Sequence, residues 1–254
     1  MTMTIAVAGK GGTGKTTFCA LLIKYLRAHE LGTILAIDGD PSANLNLALG
    51  MDLGETVGRI REDALTQVSS GRYDASVPKA DFFEYQVNDS LVEGDSVDLI
   101  AMGRPEGPGC YCAANNILRN VIDRLGNHYD YVVIDNEAGM EHISRQTARE
   151  VDNLFIVTDM TLRGLAAAGH IVALIHELGT RVHHAYLVIN RTHGGIPPEW
   201  KSKIKEHGLD CIGTLPDDPT VSEFDVIGRP IIEIGEEAPI YRAIAAIAAK
   251  AGIQ

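Results

Sequence analysis

Residues 9–17 read GKGGTGKTT, and the context of that run limits the folds open to the chain more than any other feature. Before it, residues 4–8 (TIAVA) form a short apolar stretch. After it, Phe18, Leu21, Leu22, Tyr25 and Leu26 recur at helical spacing as far as about His29. A strand that turns through glycines and reopens as a helix begins a βα unit, whose next strand runs parallel to the first. Later apolar runs fall at residues 33–38, 97–102, 131–135, 154–158 and 185–190, with a short one at 211–215. Such runs between amphipathic segments predict a doubly wound α/β fold. Its sheet is mostly parallel, has helices on both faces, and binds ligands beyond the carboxyl ends of the strands. Ile240, Ile244 and Ile247 place one apolar face on a final helix over 240–251, suited to packing on the domain.

Two stretches break this rhythm. Residues 51–95 are polar and predict loops and short helices inserted beside the site, while 103–109 (GRPEGPG) predict a rigid, extended loop. No repeat, low-complexity tract or linker is visible, so a single domain over residues 1–254 is expected.

The glycine-rich run has a definite chemistry. Gly9, Gly14, Lys15 and Thr16 stand at the spacing of a P-loop, G-x-x-x-x-G-K-[ST], between strand and helix as that motif requires. Gly9, Lys10, Gly11, Gly12, Thr13, Gly14, Lys15, Thr16 and Thr17 are therefore the expected phosphate cradle for ATP or ADP. Backbone amides can curl around phosphates there, with the helix N-terminus adding its positive dipole end. Lys15 is placed to neutralise the β- and γ-phosphates, and the Thr16 hydroxyl to ligate Mg²⁺.

Lys10 adds a second lysine to the loop. With it, GKGGTGKTT resembles the deviant Walker A motif of the ATPase family that contains MinD, ParA and the nitrogenase iron protein. The resemblance implies a homodimer in which Lys10 reaches the partner's nucleotide, giving it a catalytic part beside Lys15. It also implies that Asp38-Gly39-Asp40-Pro41 is a first switch segment. A carboxylate at that strand end near a γ-phosphate suits the positioning of attacking water. Asp40 is assigned that task, Asp38 supports the Mg²⁺ shell, and Asn44 approaches the metal through water. Asp135, ending residues 131–135, then faces the Mg²⁺ neighbourhood, and Gly139 offers its amide to the γ-phosphate as a sensor of hydrolysis. By the same resemblance Asn190 and Arg191, with Pro216 and Asp217, flank the adenine.

Cys110-Tyr111-Cys112 follows the Gly/Pro loop and precedes an expected helix over 113–125. A thiol near a helix N-terminus is favoured as thiolate, which suits metal binding or redox work. Two thiolates make half of a four-coordinate site, and a two-fold dimer supplies the other half on its axis. Tetrahedral S₄ suits Zn²⁺ or an iron–sulfur cluster and square-planar S₄ suits Ni²⁺, so the residues alone leave the metal open. The run MGRPEGPGCYC, with DNEAGMEH downstream, resembles the CooC family of nickel-inserting ATPases. That resemblance spans essentially the whole chain. It implies Ni²⁺ at Cys110 and Cys112, with Zn²⁺ able to bind in vitro, and a client apo-enzyme, either carbon monoxide dehydrogenase or acetyl-CoA synthase. Cys19 and Cys211 are expected to be buried structural thiols. His142 is expected to be a surface or capping residue, and His183-His184 an exposed turn.

Charge and hydropathy narrow the partners. A formal charge of −12 at pH 7 without a Lys/Arg cluster opposes nucleic acid and anionic membranes. No apolar run approaches the about 20 residues that span a bilayer, and the first residues lead directly into a strand. A cytoplasmic protein with reduced thiols is expected. Two rival readings bear on the cysteines and the family. An iron–sulfur reductase like the nitrogenase iron protein needs a cysteine just beyond the second switch, where this chain has Met140-Glu141-His142. A positioning ATPase like MinD needs a basic amphipathic tail, whereas the final helix carries only Arg242 and Lys250 as charges.

Overall fold

In a computed structural model of the chain, residues 2–70, 90–104, 124–136, 150–178 and 180–254 are described. Among them seven strands form one sheet: β1 (Met3–Gly9), β2 (Ile34–Asp38), β3 (Val97–Ala101), β4 (Tyr131–Asp135), β5 (Glu150–Asp159), β6 (Arg181–Thr192) and β7 (Cys211–Pro216). Their order is β3-β2-β4-β1-β5-β6-β7, with every neighbouring pair parallel. The chain winds outward from β1 through β2 to β3, returns to β4, then crosses to β5 and continues to β7. The winding therefore changes direction beside β1, and such a switch point opens a crevice at the carboxyl ends of the strands.

Helices pack on both faces: α1 (Lys15–Ala28), α2 (Leu45–Leu49), α3 (Val57–Ser69), α4 (Leu162–Leu178), α5 (Pro198–Glu206), α6 (Pro219–Ile227) and α7 (Pro239–Lys250). Strand residues alternate between two cores because successive side chains point to opposite faces. Ile5, Val7, Ile34, Ala36, Val133, Phe155 and Val157 join α1, α2 and α7 in one core. Ala6, Ala8, Leu35, Ile37, Ile134, Leu154 and Ile156 join α3, α4 and α5 in the other. Helix α1 is buried on nearly every side from Phe18 to Ile23, since it lies between the sheet and a layer containing α2 and α7. The run FCALLI answers to that double covering. Phe18 meets Phe155 of β5 with ring centroids 5.1 Å apart, fixing the P-loop helix against the centre of the sheet.

Three expectations need correction. His183 and His184 are exposed but lie inside β6, which reaches back to Arg181 because β5 begins at Glu150 opposite it and supplies the ladder. His183 Nε2 stands 2.8 Å from Glu150 Oε1 across that ladder. Cys211 is half-buried rather than buried, while Cys19 is fully buried. The polar region after residue 51 contains, in α3, a helix of 13 residues whose Val57, Ile60 and Ala64 reach the second core.

Candidate nucleotide site

The P-loop connects the end of β1 to α1 at the switch point. Gly9 has φ 149°, and a Cβ there would run into the Val157 carbonyl of β5, so the loop turns where only glycine fits. Gly14 caps α1 with φ 92° and no side-chain hydrogen bond. The first intrahelical bond runs from the Phe18 N–H to the Gly14 carbonyl, 3.0 Å. The amides of Lys15, Thr16 and Thr17 therefore have no helical acceptor and mark the positive end of the helix dipole. The loop is braced from within, because the Thr13 hydroxyl donates to the Lys10 carbonyl at 2.8 Å. Lys15 is buried with its ammonium 3.5 Å from the same carbonyl, whereas Lys10 is exposed.

Strand register brings two carboxylates beside this loop. Asp135 stands opposite Val7 of β1 and opposite Asp38 of β2. The Thr16 hydroxyl donates to Asp135 Oδ2 at 2.6 Å, and Asp135 Oδ1 is buried without a hydrogen-bond partner. A hydroxyl, a carboxylate and an unfilled buried acceptor are a donor set for a small, hard cation such as Mg²⁺. Thr16 and Asp135 would hold it, and when bound it would neutralise phosphate charge. Burial pushes the Asp135 carboxyl up to about 7, against the opposing hydrogen bond from Thr16, with nearby Asp38 adding to the rise.

Asp38 is bonded to the backbone on both oxygens. Its Oδ2 accepts the Leu45 N–H at 2.8 Å and its Oδ1 accepts the Asp40 N–H at 3.0 Å, so it fastens the loop between β2 and α2. Burial raises its carboxyl to about 6 while these backbone bonds pull the other way. Asp40 is half-buried and accepts the Ser42 N–H at 2.8 Å; Asn44 is exposed. Gly39 donates to the Asp135 carbonyl at 2.8 Å, tying this loop to β4. Sequence reasoning passed over the neighbouring Asn136. Its amide Nδ2 donates to the Val7 carbonyl at 2.9 Å and locks β4 to β1 just below the P-loop.

On the other flank, Asn190 ends the pairing of β6 with β5. Its Nδ2 donates to the Thr13 carbonyl at 2.8 Å and its Oδ1 accepts the Arg191 N–H at 2.8 Å. These bonds make Asn190 a wall of the P-loop, and Arg191 takes a left-handed backbone, φ 55°. Pro216 ends β7, and Asp217 Oδ2 lies 3.6 Å from His193 Nε2 at the rim. Asp218, also missed in the sequence, is buried and accepts both the Thr220 and Ile240 N–H groups at 3.1 Å, joining α6 to α7. Gly139, Cys110, Cys112 and His142 lie outside the described residues, as does nearly all of the helix expected at 113–125. Among the described residues no group of three or more His, Cys, Asp or Glu is placed to hold a metal, and no helix is long and apolar enough to cross a membrane.

A P-loop braced by Asn190 and facing Thr16 and Asp135 matches the family model of the CobQ/CobB/MinD/ParA nucleotide-binding domain over residues 4–231. The chain belongs to this family. It is an ATPase of the MinD/ParA type. An uncharacterized ATP-binding protein of Methanocaldococcus jannaschii is 42% identical over 98% of each chain. The carbon monoxide dehydrogenase accessory protein CooC of Rhodospirillum rubrum is 30% identical, over 89% of this chain and 88% of the relative. MinD of Pyrococcus horikoshii, solved with Mg-ADP, superimposes with a TM-score of 0.69 at 23% identity, over 98% of this chain and 95% of the other. That last likeness is one of fold, and it bears out the doubly wound, P-loop architecture.

Proposed function

We propose that this MinD/ParA-type ATPase is a dimeric metallochaperone that uses Mg-ATP to deliver Ni²⁺ to an apo-nickel enzyme, carbon monoxide dehydrogenase or acetyl-CoA synthase. The carrying observation is the Cys110-Tyr111-Cys112 pair in a chain with 30% identity to a carbon monoxide dehydrogenase accessory protein along almost its whole length. In this reading four thiolates from two copies bind the metal on the dimer axis. Lys15 and the amides of the P-loop hold the triphosphate, with adenine toward Asn190, Arg191, Pro216 and Asp217. Asp40 orients the attacking water at the mouth of the loop. Gly139 reports the γ-phosphate to the second switch, and Lys10 of each copy completes the site of the other. Metal and ATP favour the same closed dimer, so each strengthens the binding of the other.

The test is nickel transfer. The protein is loaded with Ni²⁺ under anaerobic conditions and mixed with the apo-client, with Mg-ATP or with a non-hydrolysable analogue. The proposal expects client activation with ATP and little with the analogue. Lys15→Ala is expected to weaken ATP binding about 10- to 100-fold, the worth of a hydrogen bond to a charged group, and to abolish transfer. Equal activation by free Ni²⁺ and by the loaded protein, with or without ATP, would refute the delivery role.

A further inference from the structure

At the amino end of β3, the end of the sheet away from the P-loop, lies a cleft of about 200 Å³. It is lined by Arg27 from the last turn of α1, by Leu49 and Met51 at the end of α2, by Asp95 and Val97 leading into β3, and by Ile232. Lys15 and Arg27 stand at opposite ends of α1, about 18 Å apart at about 1.5 Å per residue, so the cleft is no part of the nucleotide site. Its lining has two chemistries. Leu49 and Val97 are buried, and half-buried Met51 and Ile232 extend the same apolar side. Arg27 and Asp95 are exposed, and neither makes an ion pair with the other or with any described residue. Asp95 is carried on a fixed turn. Ser96 takes a left-handed backbone, φ 68°, its carbonyl accepts the Ile34 N–H at 3.1 Å, and the Gly94 N–H donates to Asp98 Oδ1 at 3.1 Å. A Cβ at Gly94 would meet the Val97 carbonyl at 2.7 Å and Met51 Cε at 3.1 Å, so the wall there is bare backbone.

This combination selects its guest. An anion would be drawn to Arg27 and repelled by Asp95, and a cation would meet the reverse. A neutral apolar guest would strip water from both charges and return nothing. A molecule with one negative and one positive group close together on an apolar body satisfies the whole lining. It must also be small, since pockets for drug-sized ligands start at about 300 Å³. We propose that this cleft binds a free α-amino acid with an apolar side chain of leucine or methionine size. Its carboxylate takes the Arg27 guanidinium, in the two-bond geometry that arginine offers carboxylates, and its α-ammonium takes the Asp95 carboxylate. The side chain lies on Leu49, Met51, Val97 and Ile232.

The experiment is equilibrium dialysis of the full chain against radiolabelled L-methionine. The competitors are L-leucine, N-acetyl-L-methionine and L-methionine methyl ester, and Arg27→Ala and Asp95→Asn run beside the wild type. The wild type is expected to bind L-methionine with a Kd of about 1 mM or tighter, and L-leucine to displace it. Each blocked derivative lacks one of the two charges and is expected to compete about tenfold more weakly, the worth of a hydrogen bond between charged groups. Each variant is expected to lose about tenfold in affinity for L-methionine while keeping its affinity for Mg-ADP, which binds at the other end of α1. No binding by the wild type, blocked derivatives that compete as well as L-methionine, or an unchanged affinity in either variant overturns the proposal. The competition needs only the wild type, so it decides the matter even where a variant fails to fold.

Discussion

Desolvation sets the charge of the two carboxylates that head β2 and β4. Asp38 and Asp135 lie side by side in register, each buried, and their carboxyls are raised to about 6 and about 7 from an ordinary value of 3.8. Between that value and the raised ones the folded protein keeps protons that the unfolded chain has lost. Their contribution to stability is thus fully present below about pH 4 and is lost as pH rises through 6 and 7. Asp135→Asn has no proton to lose and keeps an oxygen to accept from Thr16. Without ligand it should melt above the wild type at pH 8, with the gap closing towards pH 5, in thermal denaturation across that range. A gap that is constant or reversed would show that the carboxylate is ionised and stabilising in the fold. At this scale the sequence was most legible where a side chain serves the backbone motif, as at Gly9, Gly14, Lys15 and Thr16. It was least legible at Asn136 and Asp218. Their value comes from partners far away in the chain, such as Val7 for Asn136 and Ile240 for Asp218.

Strands buried on both faces announced themselves as continuous apolar runs, so β2, β3 and β4 were readable almost to the residue. The two longest strands were not. β5 and β6 extend several residues beyond their apolar centres, where polar residues such as Asn153 and His184 stand opposite each other in the ladder. Helix α3 was expected only as short helical pieces because few of its described residues, Val57, Ile60 and Ala64, reach the core, and α2 was not placed because five residues carry too little periodicity. The contact that matters most between elements is Phe155 of β5 against Phe18 of α1 and Tyr186 of β6, with ring centroids 5.1 and 5.7 Å apart. Phe155→Ala would empty the space under the P-loop helix and should lower stability by about 3–5 kcal/mol in urea denaturation. A loss below about 1 kcal/mol would mean that the two rings are not packed as described.

At the scale of the whole molecule, composition gave the class and the acidity, and motif order gave the path of the chain past one crevice. The cleft between the ends of α1 and α2 was hidden because it joins residues 27, 49–51, 94–95 and 232, which no local pattern links. The proposed pairing of two copies is likewise a matter of surfaces, and Lys10, Leu47, Val226 and Ile227 are exposed. The central claim is that nucleotide and metal act on one dimer through Cys110 and Cys112. Anaerobic Ni²⁺ titration, with and without Mg-ATP, tests it most directly when run beside the Cys110→Ser/Cys112→Ser variant. The account predicts about one Ni²⁺ per pair of chains, bound more tightly with ATP, as reciprocal linkage requires. It predicts no tight nickel binding in the variant, which should retain its affinity for ATP. Nickel bound equally well by the variant, or a brown protein holding iron and sulfide in place of nickel, would contradict it.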